Sequence, residues 1–188
     1  MLISLSGTPG TGKTTVAKIL SMTGFKVISM NRIAEGFLDE RDQQRESHEV
    51  DMEALVEAMK TGRLSILEEN ETHTIIEGHL SHHLPVDFTI VFRTSPAVLE
   101  KRLYSRGYHT EKVRENMEAE ALGVISVEAM ERGVPVYEID TTHTSPQEVA
   151  ERFRDIVAML ENETKPEKIK GLKPQEIIDY TEEIMGWY

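Results

Sequence analysis

A short glycine-rich stretch near the start of the chain carries the residues best suited to phosphate chemistry. It reads SGTPGTGKTT over residues 6–15, and Gly7, four residues and then Gly12-Lys13-Thr14 is the spacing of a phosphate-binding loop. In such a loop, backbone N–H groups wrap an anion at a helix N-terminus. We expect Lys13 to reach the β and γ phosphates of a nucleotide and the Thr14 hydroxyl to ligate Mg²⁺. The alternative is a chance glycine turn with a solvated lysine.

A second acidic group is needed to organise the metal, and the sequence TIIEGH over residues 74–79 offers one. In phosphate-loop proteins an acidic residue ends a neighbouring apolar strand and holds Mg²⁺. Glu77 fits that position, and we expect His79, two residues on, to point towards the same site. The alternatives are an ordinary charge at a strand end for Glu77 and a polar loop residue for His79.

The histidines of HLSHH, residues 79–83, raise the possibility of a zinc site. The sequence argues against it, because the chain has no cysteine and the spacing is not that of two ligands on one helix face.

Two arginines could stabilise a transferring phosphoryl group. Arg102 and Arg106 lie four residues apart, so on a helix they share one face, and guanidinium groups match phosphate oxygens. Other nearby cations are Lys101, Lys112 and Arg114. The alternative is surface pairing with Glu100 and Glu111.

Apolar runs alternate with helical stretches along the chain, which indicates βαβ units and a parallel sheet with helices on both faces. The five runs are Leu2 to Leu5, Lys26 to Met30, Thr74 to Ile76, Phe88 to Phe92, and Val134 to Ile139. Helix starts are predicted at Ser95-Pro96 and at Ser145-Pro146, the latter with Glu148 completing a capping box. The loop over residues 140–145, which follows the last run, is expected to border the base of a nucleotide.

The predicted organisation is one kinase-like domain over residues 1–160 with two excursions. A charged segment at about 31–60 would form an insert that binds the acceptor, and a break at Arg106-Gly107-Tyr108 would form a short lid at about 104–115. Residues 161–188 form a C-terminal extension with a short amphipathic helix predicted from Pro174 to Met185. That helix is expected to fold back onto the domain, the alternative being a tail that binds a partner.

Composition excludes several classes of function. The formal net charge of −12 argues against general binding to nucleic acid, because such binding needs clustered Lys and Arg side chains. The absence of cysteine excludes disulfides, zinc thiolate sites and a thiol nucleophile. No apolar stretch is long enough to cross a membrane, and the start of the chain has no signal-peptide pattern, so the expected location is the cytoplasm.

Several segments together resemble the adenylate kinase isoenzyme six family of small P-loop nucleotide kinases and ATPases. They are GTPGTGKTT, EGH at the strand end, RLYSRGY, EKVRENMEAEALGVISVEA and the late DTTHTSP, and the resemblance spans roughly residues 1–160. It implies a P-loop NTPase fold with a five-stranded parallel sheet and a short lid. It also implies nucleotide binding by a set of matching residues, which are Gly10, Gly12, Lys13, Thr14, Thr15 and Arg106.

The same resemblance implies activity and partners. Members are broad nucleoside monophosphate kinases that use MgATP, are ATPases, and act with the small-subunit ribosomal protein uS-eleven in maturation of small-subunit RNA. Two departures from the family pattern stand out. The family's Asp-x-His is Glu77-Gly78-His79 here, and the sequence over residues 31–34, NRIA, replaces a glycine-aspartate entry to the acceptor insert. The main alternative is an assembly switch driven by ATP hydrolysis; kinases for another small metabolite and, less so, GTPases remain further options.

Overall fold

A five-stranded parallel sheet lies at the centre of the computed structural model, which describes residues 1–37, 50–63, 73–162 and 177–185. The strands are β1 (Leu2–Gly7), β2 (Lys26–Ser29), β3 (Thr74–Glu77), β4 (Phe88–Arg93) and β5 (Val136–Asp140), in the order β2-β3-β1-β4-β5. The predicted α/β fold with five parallel strands is therefore confirmed. Because β1 is central, with β3 on one side and β4 on the other, the loop that follows it opens at the middle of the sheet's carboxyl edge.

Eight helices accompany the sheet within the described ranges. They are α1 (Lys13–Ser21), α2 (Met30–Ala34), α3 (Met52–Lys60), α4 (Pro96–Tyr104), α5 (Thr110–Ala121), α6 (Val124–Glu131), α7 (Pro146–Glu161) and α8 (Thr181–Ile184), with short 3₁₀ turns at Glu35–Phe37 and Ser81–His83. None of these described helices has both the length and the apolar character that a membrane crossing requires.

Helices cover both faces of the sheet, and successive side chains along a strand point to these two faces in turn. Leu5, Ile90 and Phe92 point to the face covered by α1 and α7, where Phe153 of α7 is fully buried. Val91 lies between Ile90 and Phe92 on β4 and points to the opposite face, which α6 covers. A strand buried on both faces reads as a continuous apolar run, which explains why these strands are visible in the sequence.

The two predicted helix starts differ in their chemistry. At α7 the Ser145 side chain accepts a hydrogen bond from the Glu148 N–H while the Glu148 carboxylate accepts from the Ser145 N–H, so the capping box is confirmed. At α4 the predicted start is confirmed, because Ser95 is the N-cap residue and Pro96 the first helical residue. The Ser95 hydroxyl makes no cap hydrogen bond and instead donates to the Glu183 carboxylate of α8.

The segments assigned to acceptor binding and to the lid lie beside the carboxyl edge of the sheet. The first comprises α2, the 3₁₀ turn after it and α3, and residues 38–49 of this insert lie outside the described residues. The second is the turn over residues 105–109 between α4 and α5, where Gly107 has a φ of 80°. The predicted break in the helical run at Arg106-Gly107-Tyr108 is therefore present.

The described part of the C-terminal extension, residues 177–185, lies against the domain. The helix expected from Pro174 to Met185 is wrong for residues 177–180, because only Thr181–Ile184 is helical. The backbone N–H of Ile178 donates to the Glu138 carboxylate, and the Tyr180 ring lies 5.4 Å from the Arg93 guanidinium carbon. These contacts hold residues 178–180 in a non-helical conformation. Residues 163–176 and 186–188 lie outside the described residues.

A buried ion cluster ties these elements together. Arg93, at the end of β4, is 1% exposed and donates through Nε to Glu120 of α5 at 2.9 Å and through Nη1 to Glu138 of β5 at 2.5 Å. The Glu120 carboxylate also accepts from the Thr94 N–H and from the Thr8 hydroxyl of the phosphate-binding loop. Although burial disfavours a charged guanidinium, the two carboxylates hold the pKa of Arg93 above its usual value.

We expect Glu120→Ala to lower the free energy of unfolding by about 3 to 5 kcal/mol, because it leaves the Arg93 charge buried with one partner removed. Glu115→Ala is the matched control on the same helix, since Glu115 is 64% exposed and its pair with Lys112 contributes little. Urea denaturation of the two variants measures the difference. Equal midpoints would show that the ion cluster does not hold the fold together.

Candidate active site

The loop between β1 and α1 has the backbone geometry of an anion cradle. Gly12 is the N-cap residue of α1 with a φ of 95°, a conformation that favours glycine, so the first N–H groups of the helix face the loop. Gly10 lies where an added Cβ would come within 2.7 Å of Leu99 of α4. The loop therefore packs directly against α4, the helix that precedes the lid turn.

Lys13 is folded back onto the loop. Its ammonium donates to the carbonyl oxygens of Gly7 at 2.6 Å and Thr8 at 3.0 Å, and the side chain is buried. Burial lowers the pKa of Lys13 to about 8, and the negative charges of Glu77 and Glu120 limit that shift. A phosphate beside Nζ would favour the charged form in the same way as these carboxylates.

Thr14 and Glu77 meet as the sequence predicts. The Thr14 hydroxyl donates to Glu77 Oε1 at 2.9 Å, which joins the start of α1 to the end of β3. A hydroxyl and a carboxylate side by side at an open site are the hard oxygen donors that Mg²⁺ binds together with substrate phosphates. These two side chains fit the metal that the resemblance implies.

His79 borders the same cavity as Glu77. The residue is exposed, but the surrounding protein still takes part of the ring out of water. This desolvation, followed by the charges of Lys13 and Lys112, lowers the pKa of His79. The peptide of His79 is fixed, because its carbonyl oxygen accepts from the buried Ser6 hydroxyl at 3.1 Å. The ring thus stands at the mouth of the site on an anchored backbone.

The two arginines of α4 and its C-terminal turn have different surroundings. Arg102 is partly buried and donates through Nη2 to the Thr141 carbonyl oxygen at 2.8 Å and, more weakly, through Nη1 to that of Gly10 at 3.4 Å. It joins the phosphate-binding loop to the loop after β5. Arg106 is exposed on the lid turn and borders both cavities of the site.

Two further predicted cations, Lys112 and Arg114, form ion pairs along α5. Lys112 pairs with Glu115 and Arg114 pairs with Glu118, each at 2.8 Å. Both are pairs on the helix surface, as the alternative held, but the partners differ from the expected Glu100 and Glu111.

Two cavities adjoin the phosphate-binding loop and share Gly10, Gly12 and Arg106. The smaller, about 260 Å³, is bordered by Thr15, Arg102 and the loop after β5 with Thr141, Thr144 and Pro146. The larger, about 480 Å³, is bordered by Lys13, Thr14, Glu77 and His79, and by Ser29 and Asn31 after β2. The expected position of the loop over residues 140–145 beside the nucleotide site is consistent with the smaller cavity.

The sequence analysis missed the side chains that hold the segment after Glu77 against β1. Ser4 and Ser81 hydroxyls lie 2.8 Å apart, and Ser6 Oγ lies 3.0 Å from His82 Nδ1, so β1 holds the segment that follows Glu77. Burial, followed by the charge of His83, lowers the pKa of His82 to about 4. The alternation of β1 indicates that Ser4 and Ser6 share a face, but nothing in the sequence pairs them with Ser81 and His82.

Comparison with known proteins identifies the family. A model of the family described as AAA domain (AAA_18) matches residues 3–123. The "Putative adenylate kinase" of Thermococcus onnurineus is 39% identical over 184 residues, which cover 97% of this chain and 93% of that protein. The protein of the same name from Methanothermobacter thermautotrophicus is 46% identical over 160 residues, covering 83% and 89%.

Solved structures support the fold at low sequence identity. The YorR protein of Bacillus subtilis, in complex with phosphorylated GDP, has a TM-score of 0.58 and 18% identity and covers 86% of this chain and 98% of its own. Deoxyadenosine kinase from M. mycoides has a TM-score of 0.53 and 16% identity and covers 85% and 100%. The chain therefore belongs to the AAA_18 family, as a phosphotransferase of the P-loop NTPase fold in the group of archaeal proteins named adenylate kinase.

Proposed function

We propose that the protein transfers the γ-phosphoryl group of ATP to a nucleoside monophosphate, with AMP as the first acceptor to test and other bases also accepted. The observation that carries this proposal is the pair of cavities that meet at Gly10, Gly12 and Arg106. A kinase for two nucleotides needs two pockets whose phosphate ends converge, and the convergence here falls on the phosphate-binding loop.

The smaller cavity suits the nucleoside of ATP. Thr15 and Pro146 border it, and Arg102 fixes its floor by joining Gly10 to Thr141. The triphosphate would follow the loop from Thr15 towards Lys13, with the backbone N–H groups of α1 as donors. Arg102 therefore acts on the donor chiefly by positioning the loops that hold it.

The larger cavity suits the acceptor and the transferring group. Lys13 would exchange the Gly7 and Thr8 carbonyl oxygens for the β and γ phosphates, a charge-assisted contact. Mg²⁺ held by Thr14 and Glu77 would neutralise charge on the phosphate oxygens. The acceptor phosphate oxygen forms a bond to the γ phosphorus while the bond to the β,γ-bridging oxygen breaks, so ADP leaves and the acceptor becomes a diphosphate.

The lid turn supplies the remaining charge. Arg106 is exposed between the two cavities, so a small movement of residues 105–109 would bring its guanidinium over the transferring group. The acceptor phosphate is already an anion and needs no general base. Closure chiefly keeps water from competing with the acceptor.

The alternative function is an ATPase that works as a switch in maturation of the small ribosomal subunit. His79 favours it, because an imidazole beside Glu77 and Lys13 in an open cavity could orient a water molecule towards the γ phosphate. The partner, ribosomal protein uS-eleven, follows from the family resemblance. The switch requires that affinity for purified uS-eleven change when ATP replaces ADP.

Incubation of the protein with MgATP and each of AMP, CMP, UMP and GMP tests the proposal, with nucleotide products and free phosphate followed together. We expect diphosphate to form in step with ATP loss and little free phosphate. Free phosphate released at the same rate with and without each acceptor would contradict the kinase proposal and favour the ATPase.

We expect Lys13→Ala to lower kcat by about 10²- to 10³-fold, because it removes a preorganised cation from the transferring phosphates. Lys18→Ala, an exposed lysine in the last turn of the same helix, is the matched control and should keep wild-type turnover. Steady-state kinetics with circular dichroism as a folding check measures both. Wild-type kcat in Lys13→Ala would remove the loop from the catalytic assignment.

We expect Glu77→Gln to raise the Mg²⁺ concentration needed for half-maximal rate by about 10- to 100-fold, the range seen when groups that orient a metal are lost. Glu77→Asp restores the family residue and should stay within a few-fold of wild type. Initial rates against Mg²⁺ concentration give the comparison. An unchanged Mg²⁺ requirement in Glu77→Gln would show that Thr14 and the nucleotide hold the metal without this carboxylate.

A further inference from the structure

Two histidines and a glutamate form a cluster on the face of the sheet covered by α6. His82 and His83 come from the 3₁₀ turn after β3, and Glu128 comes from α6, 45 residues further along the chain. Glu128 Oε2 lies 3.0 Å from His82 Nε2 and 3.7 Å from His83 Nε2, and the three ligand atoms all fall within 4.8 Å of one another. The sequence analysis argued against zinc here from the absence of cysteine and the spacing of the histidines, and it had no means of placing Glu128 beside them.

The spacing of these atoms suits a small divalent ion. Zinc bonds to histidine nitrogen and carboxylate oxygen are about 2.0 to 2.2 Å long, so donors at tetrahedral corners lie roughly 3.3 Å apart. The two measured separations from Glu128 lie on either side of that value. Three protein ligands with one open position is the arrangement of an accessible zinc site.

The hydrogen bonds of His82 are compatible with a lone pair that faces the carboxylate. The Ser6 hydroxyl donates to the His79 carbonyl oxygen, so the Ser6 oxygen is left to accept a hydrogen bond from His82 Nδ1–H at 3.0 Å. In this tautomer Nε2 carries a lone pair and lies 3.0 Å from a Glu128 carboxylate oxygen, and a cation between these two acceptors would satisfy both. A hydroxyl partner on the second nitrogen is also what orients a metal-bound histidine.

The cluster adjoins a cavity of about 440 Å³ through His83. His83 borders it together with Glu53 and Glu57 of α3, and these carboxylates favour a cation. Lys60 and Arg132 border it too, and Arg132 donates to the His83 carbonyl oxygen at 2.6 Å. Their positive charges reduce the affinity, so a weaker site than an enclosed four-ligand zinc site is expected.

We propose that His82, His83 and Glu128 bind one divalent transition-metal ion, Zn²⁺ in preference to Mg²⁺, with water in the open position. Imidazole ligands select zinc and its neighbours over magnesium, which prefers oxygen. The ion fastens α6 to the segment that follows Glu77, and it stabilises the folded chain. This site is separate from the Thr14 and Glu77 pair and stands whether or not the proposed kinase activity is found.

Cobalt(II) absorption tests the site on the full chain, without a histidine tag and after removal of metal with a chelator. We expect one Co²⁺ to bind with the intense visible bands of a four- or five-coordinate ion, to be displaced by Zn²⁺, and to persist in excess Mg²⁺. The melting temperature should rise with added Zn²⁺.

Variants at the partly exposed ligands locate the ion. We expect Glu128→Gln and His83→Ala to weaken Co²⁺ binding at least tenfold. Glu131→Gln, exposed on the same helix, and His143→Ala, an exposed histidine elsewhere, are the matched controls and should bind as wild type does. His82→Ala tests the third ligand, but this side chain is buried, so Glu128→Gln and His83→Ala decide the question.

Several outcomes would overturn the proposal. They are the absence of visible bands at millimolar Co²⁺, equal affinity in Glu128→Gln and the controls, or full displacement by Mg²⁺. Glu77→Gln distinguishes this site from the proposed kinase site, because it should alter the Mg²⁺ requirement of the reaction and leave the Co²⁺ bands unchanged.

Discussion

The buried charge of Arg93 is the constraint on which the rest of the structure depends. A guanidinium that is 1% exposed requires carboxylates, and Glu120 and Glu138 supply them from α5 and β5. Each of these carboxylates then takes further partners: Thr8 of the phosphate-binding loop for Glu120, and the backbone of Ile178 for Glu138. The loop, the helix after the lid turn and the C-terminal extension therefore share one cluster, and moving any of them disturbs its hydrogen bonds.

This cluster would limit where the proposed lid can move. Glu120 fixes the C-terminal end of α5, whereas the N-terminal end adjoins the turn over residues 105–109. Gly107 in that turn has a positive φ and open space around it. The proposed movement of Arg106 over the site would thus require only the turn and the first part of α5, while the anchored end would keep Thr8 and the loop in place. A fixed phosphate-binding loop with a mobile arginine is the arrangement expected when alignment and charge provide most of the catalysis.

Local patterns in the sequence predicted the features that depend on near neighbours. The central strands β1 and β4 are recognisable because every residue in them is buried. The cap of α7 is recognisable because its two partners are three residues apart, and the loop because backbone geometry fixes its glycine spacing. Contacts across the chain left no such signal. Glu128 reaches His82 over 46 residues, Glu183 takes the Ser95 hydroxyl over 88, and Arg102 binds the loop after β5. The partner of each side chain was decided by the order of strands in the sheet, which periodicity alone does not give.

The Lys13 and Thr14 side chains proposed for catalysis already donate hydrogen bonds within the protein. Each would exchange its present acceptors for a different kind of partner in the proposed reaction. In the proposed reaction Lys13 would exchange two neutral carbonyl oxygens for anionic phosphates, and the anionic acceptor favours binding. Thr14 would give up its hydrogen bond to Glu77 when both turn towards a metal, and the same carboxylate would remain as a ligand. Glu77 reaches Thr14 directly and so links the end of β3 to the start of α1. A change in the length of this side chain would therefore act on the link between loop and strand as well as on the position of the proposed metal.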